Sequence, residues 1–551
     1  MKSFDDVENY LIEKMNARGV PGFQVAIVQG DQIAYSKTFG YANIEKQIPV
    51  TLKTIFRVAS VSKPVIATGL MQLVEKGMLG LNDTVNSVMK RAKIKTEFSP
   101  EPTIRDILCH TSGLPVHVDP TVFSREMSVP LEQMINDSAI AVKPPKKEIM
   151  YSNTAFNIIG YLVGELTDQP YPDYMDENFF KLLEMHDSAF EQTPHIQKNM
   201  AMPYARKGDS PLEPVGPWYG GSYPEKPCGS LFTTAQDLAK FLIAHMNDGI
   251  YKENRMLKKE LVDEMHNLQS EAGSSGSGFA LAWKRSNHHG RLLLSHTGGN
   301  LGWTAHLVFY PELKLGLALV CNLNDNTGWR PPAREALHIV AGGSLSFDAE
   351  EYKKPEDYWT KYTGVYCHGF QKATVKVSDG NLIFESGANR MILEEVNPGT
   401  CRVHGSSYDG LDLIFEDVDK YYWKASLEST TFQRFIEDKR KIDSDADLSG
   451  EWTGKYVHHY GYFPITIKVE DHKATILGMT GETVSIENLE IAEGRLAGES
   501  QFHVPATHVG WGADIFQVSI SVSCIEGKLE GSIGFKSEAS ESKIPVVLQR
   551  V

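Results

Sequence analysis

Phe56-Arg-Val-Ala-Ser60-Val-Ser-Lys63-Pro64 is the stretch on which the reading of this chain turns. A Ser followed three positions later by a Lys puts both side chains on one helical face. Pro64 is tolerated only in a first helical turn, which places Ser60 at a helix N-terminus, where the helix dipole favours developing negative charge. A Ser becomes a nucleophile when a base lies beside it, and a buried Lys can act as that base. On its own the pair also fits a capping Ser with a solvated Lys one turn on.

Two further elements follow in order. Tyr151-Ser152-Asn153 stands on a loop just before the amphipathic run Thr154 to Leu166, and His296-Thr297-Gly298-Gly299 ends a β-rich run. Each has an ordinary structural reading: Asn153 as a helix N-cap, Tyr151 as a core aromatic, His296-Thr-Gly-Gly as a strand running into a turn. Three such elements in this order point to one site.

Around them the chain has a recognisable plan. After an amphipathic first helix (Phe4, Val7, Leu11, Met15), Phe23 to Val28 and Gln32 to Ser36 flank Gly30-Asp31 and predict an opening hairpin. Amphipathic runs Val65 to Gly77, Thr154 to Leu166 and Thr234 to Met246 predict helices. Phe279 to Trp283, Arg291 to His296, Thr304 to Tyr310 and Leu315 to Cys321 then read as antiparallel strands around a turn at Asn287 to Gly290, the last apolar enough to be central. Strands at both ends with helices between predict an α/β domain over residues 1–345 whose terminal segments share one sheet. Beyond Ser344 the text becomes short alternating strands. Tyr362-Thr-Gly-Val-Tyr366 and Leu448-Ser-Gly-Glu-Trp452 begin alike, which predicts two small β-barrels over 346–440 and 441–551 with a charged linker at Glu437 to Asp447.

The 551 residues exceed what one core organises. With 41% hydrophobic and 23% charged residues the chain is neither disordered nor collagen-like. A net charge of −15 disfavours nucleic acid and anionic membranes as partners. No apolar run reaches the roughly 18 residues of a span, and the N-terminus lacks a signal-peptide pattern, so a cytoplasmic protein is expected. The six cysteines include no CxxC and read as buried small hydrophobes.

The triplet resembles that of the serine β-lactamase and penicillin-binding-protein superfamily: SxxK at Ser60/Lys63, Y-x-N at Tyr151/Asn153, and a K-T-G-like element at His296 to Gly298. Thr103 to Leu114 (TIRDILCHTSGL) and Cys228 to Leu238 (CGSLFTTAQDL) resemble further text of the class C-like esterase and peptidase branch, so the likeness covers residues from about 10 to 340. Thr233 to Gln236 also has capping-box spacing. The resemblance implies a β-lactamase/transpeptidase-like α/β fold, an antiparallel sheet with a helical subdomain, followed by two small lipocalin-like barrels. It implies that Ser60 is acylated, that Lys63 takes its proton and that Tyr151 acts as base and as acid toward the leaving group. Asn153 would hydrogen-bond the substrate, and the backbone N–H groups of Ser60 and Gly299 would form the oxyanion hole, with Gly298 and Gly299 on an edge strand.

His296 departs from the usual Lys. A Lys is a permanent cation suited to a substrate carboxylate, whereas a His is largely neutral at pH 7. Together with the tandem β-domains this is most similar to D-aminopeptidase-type hydrolases. The expectation is a metal-independent, cofactor-free serine hydrolase of short peptides, amides or esters. A carboxylesterase or acyltransferase using Ser60 is the alternative among enzymes, and a covalent binder without turnover is the alternative outside them. A homo-oligomer is compatible with everything read so far. Trp218, Tyr219 and Tyr223 are candidate walls of the acyl pocket. His288-His289, His458-His459, His503 and His508 lack zinc spacing, and adjacent His residues on a strand point to opposite faces, so no metal is expected.

Overall fold

In a computed structural model of the chain, the first helix α1 (Phe4–Arg18) buries the expected stripe Val7, Leu11 and Met15. The structure describes residues 4–550 apart from 117–129, 207–210, 216–226, 273–275, 301, 325–330, 346–348, 369–370, 387–388, 406–408, 418–422, 428–429, 435–445, 459–460, 471–472, 478–482, 493–494, 505–513, 526–527 and 537–540. Strands β1 (Gly22–Gln29) and β2 (Gln32–Asn43) form the opening hairpin. Four more carry the sheet's middle: β3 (Lys284–His288), β4 (Arg291–Asn300), β5 (Trp303–Tyr310) and β6 (Leu315–Cys321).

The nine-stranded antiparallel sheet runs Ser270–Glu271, Gly278–Phe279, β3, β4, β5, β6, β1, β2, Ile48–Pro49. The two end segments of this domain therefore pair side by side within the sheet, Phe23 with Cys321 and Gln29 with Leu315. All seven residues of β6 are buried, the pattern of a strand covered on both faces. The expected strand Phe279 to Trp283 is instead broken in two. Ala282 has φ 64°, a left-handed conformation that cannot continue a strand, so Phe279 ends one strand and Lys284 begins the next.

Helices pack on the sheet: α2 (Ser62–Glu75), α3 (Ile104–Leu108), α4 (Asn153–Thr167), α5 (Ala235–Met246) and α6 (Ala333–Val340). α5 starts where its sequence places it, but the cap is Thr234, whose hydroxyl accepts from Asp237 N–H (3.1 Å), rather than Thr233. One face of the sheet buries α2, α4 and α5 in the main core; the other covers α1 and α6.

Strands from Gly364 to Arg434 close into an eight-stranded antiparallel barrel, and those from Gly450 to Arg550 form a nine-stranded antiparallel sheet. In that second unit Thr483–Ser485 and Glu487–Ala492 occupy opposite ends of the strand order although one residue separates them, so the sheet curls round until its edges approach. The likeness of the two openings extends to side chains. Tyr366 donates its hydroxyl to Tyr362 O (2.8 Å), and Trp452 donates its indole N–H to Leu448 O (2.9 Å), each anchoring the aromatic four residues back. Residues 437–445 of the expected linker lie outside the described residues.

The first barrel meets the main domain through a histidine seam. His289 and Gly290 have φ 49° and 77° and make a two-residue turn between β3 and β4. The turn expected at Asn287 to Gly290 thus falls on its last two residues: His289 has left the strand, and ring nitrogens of His288, His289 and His338 lie within 4.8 Å of one another. His288 Nε2 donates to Asp409 O (2.9 Å) and its Nδ1 faces the Tyr310 hydroxyl (2.5 Å). The His289 and His338 rings stack with centroids 3.7 Å apart and planes 13° from parallel, so their in-plane lone pairs run side by side rather than converging.

Candidate active site

Ser60 sits in a 3-10 turn, Ala59–Val61, that runs directly into α2. Ala59 has φ 46°, a conformation costly for any residue but Gly, so something outside the turn must hold it. Ser62 does part of this: its hydroxyl donates to Ala59 O (2.6 Å) and accepts from Leu231 N–H (3.0 Å). The segment Cys228 to Thr233 supplies the rest. Phe56 and Arg57 pair with Thr233 and Phe232, Val58 N–H donates to Leu231 O (3.0 Å), and Arg57 Nε donates to Gly229 O (3.0 Å).

Lys63 is fully buried. Its Nζ lies 3.0 Å from Ser60 Oγ and donates to Cys228 O at 2.9 Å. Burial of a cation without a carboxylate is costly, and the ring faces of Tyr151 and Phe156 offset part of that cost at 4.9 and 5.6 Å from Nζ. The spacing of three therefore produces contact, and the solvated-Lys reading of the same spacing is excluded.

Tyr151 approaches from the loop before α4. The helix cap is Ser152 rather than Asn153: its hydroxyl accepts from Ala155 N–H (3.0 Å) and donates to Pro115 O (2.8 Å). Asn153 is the first helical residue, with its backbone N–H on Val116 O (2.9 Å).

The third element closes the site. The ladder between β3 and β4 ends at Lys284↔Ser295, so His296 to Asn300 pair only with β5 and leave one edge toward Ser60. A Cβ on Gly298 would lie 1.9 Å from Val58 O and 3.1 Å from Ser60 N, so only Gly lets the strand press against the nucleophile turn. Gly299 is looser, its nearest neighbour being Asn324 Nδ2 at 3.2 Å. His296 is buried, with Nδ1 2.8 Å from Thr297 O. A carbonyl oxygen only accepts, so Nδ1 carries a proton there.

Sequence reasoning missed three participants. The Cys228 carbonyl and the Ser62 hydroxyl hold Lys63 and the Ser60 turn; a backbone acceptor leaves no residue signature, although the Gly-Ser that follows Cys228 marks an unusual segment. His110 lies within the text likened to the class C branch, where it was given no role. It is fully buried, and burial first, then the nearby Lys63, His296 and Lys284, holds its pKa well below the usual imidazole value. Trp218, Tyr219, Tyr223 and His459 and His508 lie outside the described residues, as do the side chains of His458 and His503. Among the described residues no helix is long and apolar enough to cross a membrane.

Comparison with known proteins agrees with this geometry. The chain is 25% identical over 320 residues to protein flp of Staphylococcus aureus (strain MW2), spanning 56% of this chain and 60% of flp, less than two thirds of that relative's length. Its fold is shared with an octameric penicillin-binding protein homologue from Pyrococcus abyssi (TM-score 0.55, 22% identity, 87% of this chain and 98% of that one). It is likewise shared with the D-amino acid amidase from Ochrobactrum anthropi SV3 (TM-score 0.52, 21% identity, 61% and 98%). The beta-lactamase family model matches residues 7–341, which include every element assembled around Ser60, and the chain therefore belongs to the beta-lactamase family, in the superfamily of serine beta-lactamase and penicillin-binding-protein-like hydrolases.

Proposed function

We propose that the protein is a serine hydrolase that works through an acyl-enzyme at Ser60 on short peptides, amides or esters, with a D-aminopeptidase-like preference. The observation that carries the reading is the buried Lys63 Nζ held 3.0 Å from Ser60 Oγ by the Cys228 carbonyl. The Cys228 carbonyl fixes Nζ beside the serine hydroxyl whose proton Lys63 takes. Ser60 Oγ attacks the substrate carbonyl carbon as its proton passes to Lys63, and the oxyanion forms against the N–H groups of Ser60 and Gly299. The bond to the leaving group breaks as Tyr151 gives it a proton. Water then attacks the acyl carbon and gives one proton to Tyr151, and Ser60 Oγ leaves the acid product as it takes back the proton held by Lys63. Asn153 holds the substrate amide.

His296 bears on the substrate class. A His in place of the usual Lys removes the permanent cation that suits a substrate carboxylate, and its Nδ1 is committed to Thr297 O. The D-amino acid amidase among the structural neighbours is in keeping with an aminoacyl substrate. The test is steady-state hydrolysis of matched D- and L-alanine p-nitroanilides beside a p-nitrophenyl acyl ester, for wild type and Ser60→Ala. Turnover of the D-anilide that vanishes in Ser60→Ala is the expected result. Turnover of the ester alone would move the protein to the esterase reading, a single burst would mark a covalent binder, and undiminished turnover by Ser60→Ala would remove Ser60 from the chemistry.

A further inference from the structure

His110 is bound to the loop that carries Tyr151 from three directions. Its carbonyl accepts Met150 N–H (2.7 Å), its Nδ1 accepts Ser152 N–H (3.0 Å), and its ring stacks on the Tyr151 ring with centroids 4.4 Å apart and planes 29° from parallel. The residues on either side of Tyr151 thus hang from one side chain and its own backbone. Phe279 (4.6 Å, edge-on) and Phe156 (5.0 Å) fix the imidazole from its other sides. His110 itself stands at φ 61°, a left-handed conformation that turns the chain back toward the loop. A backbone N–H can only donate, so Nδ1 must be unprotonated; a protonated imidazole would lose that bond.

We infer that His110 is a positioning residue for Tyr151: its neutral imidazole, accepting Ser152 N–H and stacked under the phenol ring, fixes the distance of the Tyr151 hydroxyl from Ser60, Lys63 and the departing group. This rests on the role given to Tyr151 above. It makes His110 act through Tyr151 alone, on the proton drawn from water in deacylation, which both substrate types share, and on the proton given to the leaving group, which they do not. An amine departs only with a proton, whereas p-nitrophenolate departs without one, so the two substrate types read His110 differently.

The experiment compares His110→Ala, His110→Asn, Tyr151→Phe and the double variant His110→Ala/Tyr151→Phe on the D-alanine anilide and the p-nitrophenyl ester. Asn tolerates positive φ and its Oδ1 can stand where Nδ1 accepts, so it is the conservative variant. For His110→Ala we expect a kcat loss on the order of 10- to 100-fold on the anilide, the scale of an ångström-sized misplacement, with a smaller loss on the ester. His110→Asn should recover most of the loss. In the Tyr151→Phe background, His110→Ala should add nothing further. Equal losses on both substrates, no recovery in His110→Asn, or losses that multiply in the double variant would overturn the inference while leaving Tyr151 in its role. Wild-type turnover by Tyr151→Phe would instead overturn that role, and the inference with it. Should His110→Ala not fold, the Asn variant's ratio of anilide to ester turnover decides the matter: a ratio near that of the wild type supports the inference and an ester-selective one refutes it.

Discussion

Replacing Gly298 by Ala tests whether β4 must touch the nucleophile turn for the site to work. The new Cβ would lie 1.9 Å from Val58 O, whereas ordinary contact begins near 3.4 Å, so strand and turn must separate by the difference, about 1.5 Å. That gap opens beside Ser60 N, 3.1 Å from the same Cβ, and so between the two N–H groups proposed to hold the oxyanion. An ångström of misplacement costs on the order of 100-fold, and loss of one oxyanion donor about 10²- to 10³-fold, so kcat/KM should fall by roughly 10²- to 10³-fold. Stability should drop only by the ~1–3 kcal/mol of an overpacked contact. Gly299→Ala is the internal control, since its Cβ meets only the movable Asn324 Nδ2 at 3.2 Å and it keeps its N–H. The assay is a stopped-flow acylation burst with a p-nitrophenyl ester alongside urea unfolding of both variants. Gly298→Ala within about threefold of wild type, well under the ångström-scale cost, or Gly299→Ala as the worse variant, would refute the reasoning.

Three further outcomes follow from buried titratable groups. His110, His245, His288, His266 and His338 are held neutral by burial, the last two with pKa lowered to about 4, so unfolding takes up protons below the ordinary His value and stability should fall as pH drops from about 6.5. Urea titrations at pH 7.5 and 5.5 that give equal unfolding free energies would contradict this. Burial raises the Glu335 carboxyl from 4.5 to about 7, which favours the folded state at low pH and is lost as pH rises through 7; Glu335→Gln should therefore gain up to about 3 kcal/mol over wild type at pH 8 and nothing near pH 4.5, measured by the same titrations. Burial pushes the Cys109 thiol up to about 11, so iodoacetamide should leave it unmodified in the native protein and alkylate it in urea, as read by peptide mass; native labelling at pH 7.5 would show that the site opens.

How much of this was legible beforehand differs by element. Helix faces and the continuously apolar run Leu315 to Cys321 declared themselves because burial on one face or both leaves a periodic trace in composition. The break at Ala282 left none, since Ala gives no local sign of the left-handed conformation imposed by its surroundings. The turn at Asn287 to Gly290 was legible from its Gly, although Asn287 and His288 still belong to the strand and only His289 and Gly290 make the turn. The second β-unit was read as a barrel, and its ladders form a curled nine-stranded sheet, a distinction that depends on pairing between edges far apart in the chain.

By itself the sequence determined the α/β unit, the order of its three elements, and the placing of Ser60 and Lys63 on one side of a helix start, because a spacing of three brings those side chains to one face. Tertiary structure alone decided what makes that pair a site: the Cys228 carbonyl that aims Lys63, the His110 imidazole under Tyr151, and the bare Gly298 against the turn. These contacts join residues remote in the chain and two of them use backbone atoms, which every residue carries alike, so residue type and spacing do not name the partners.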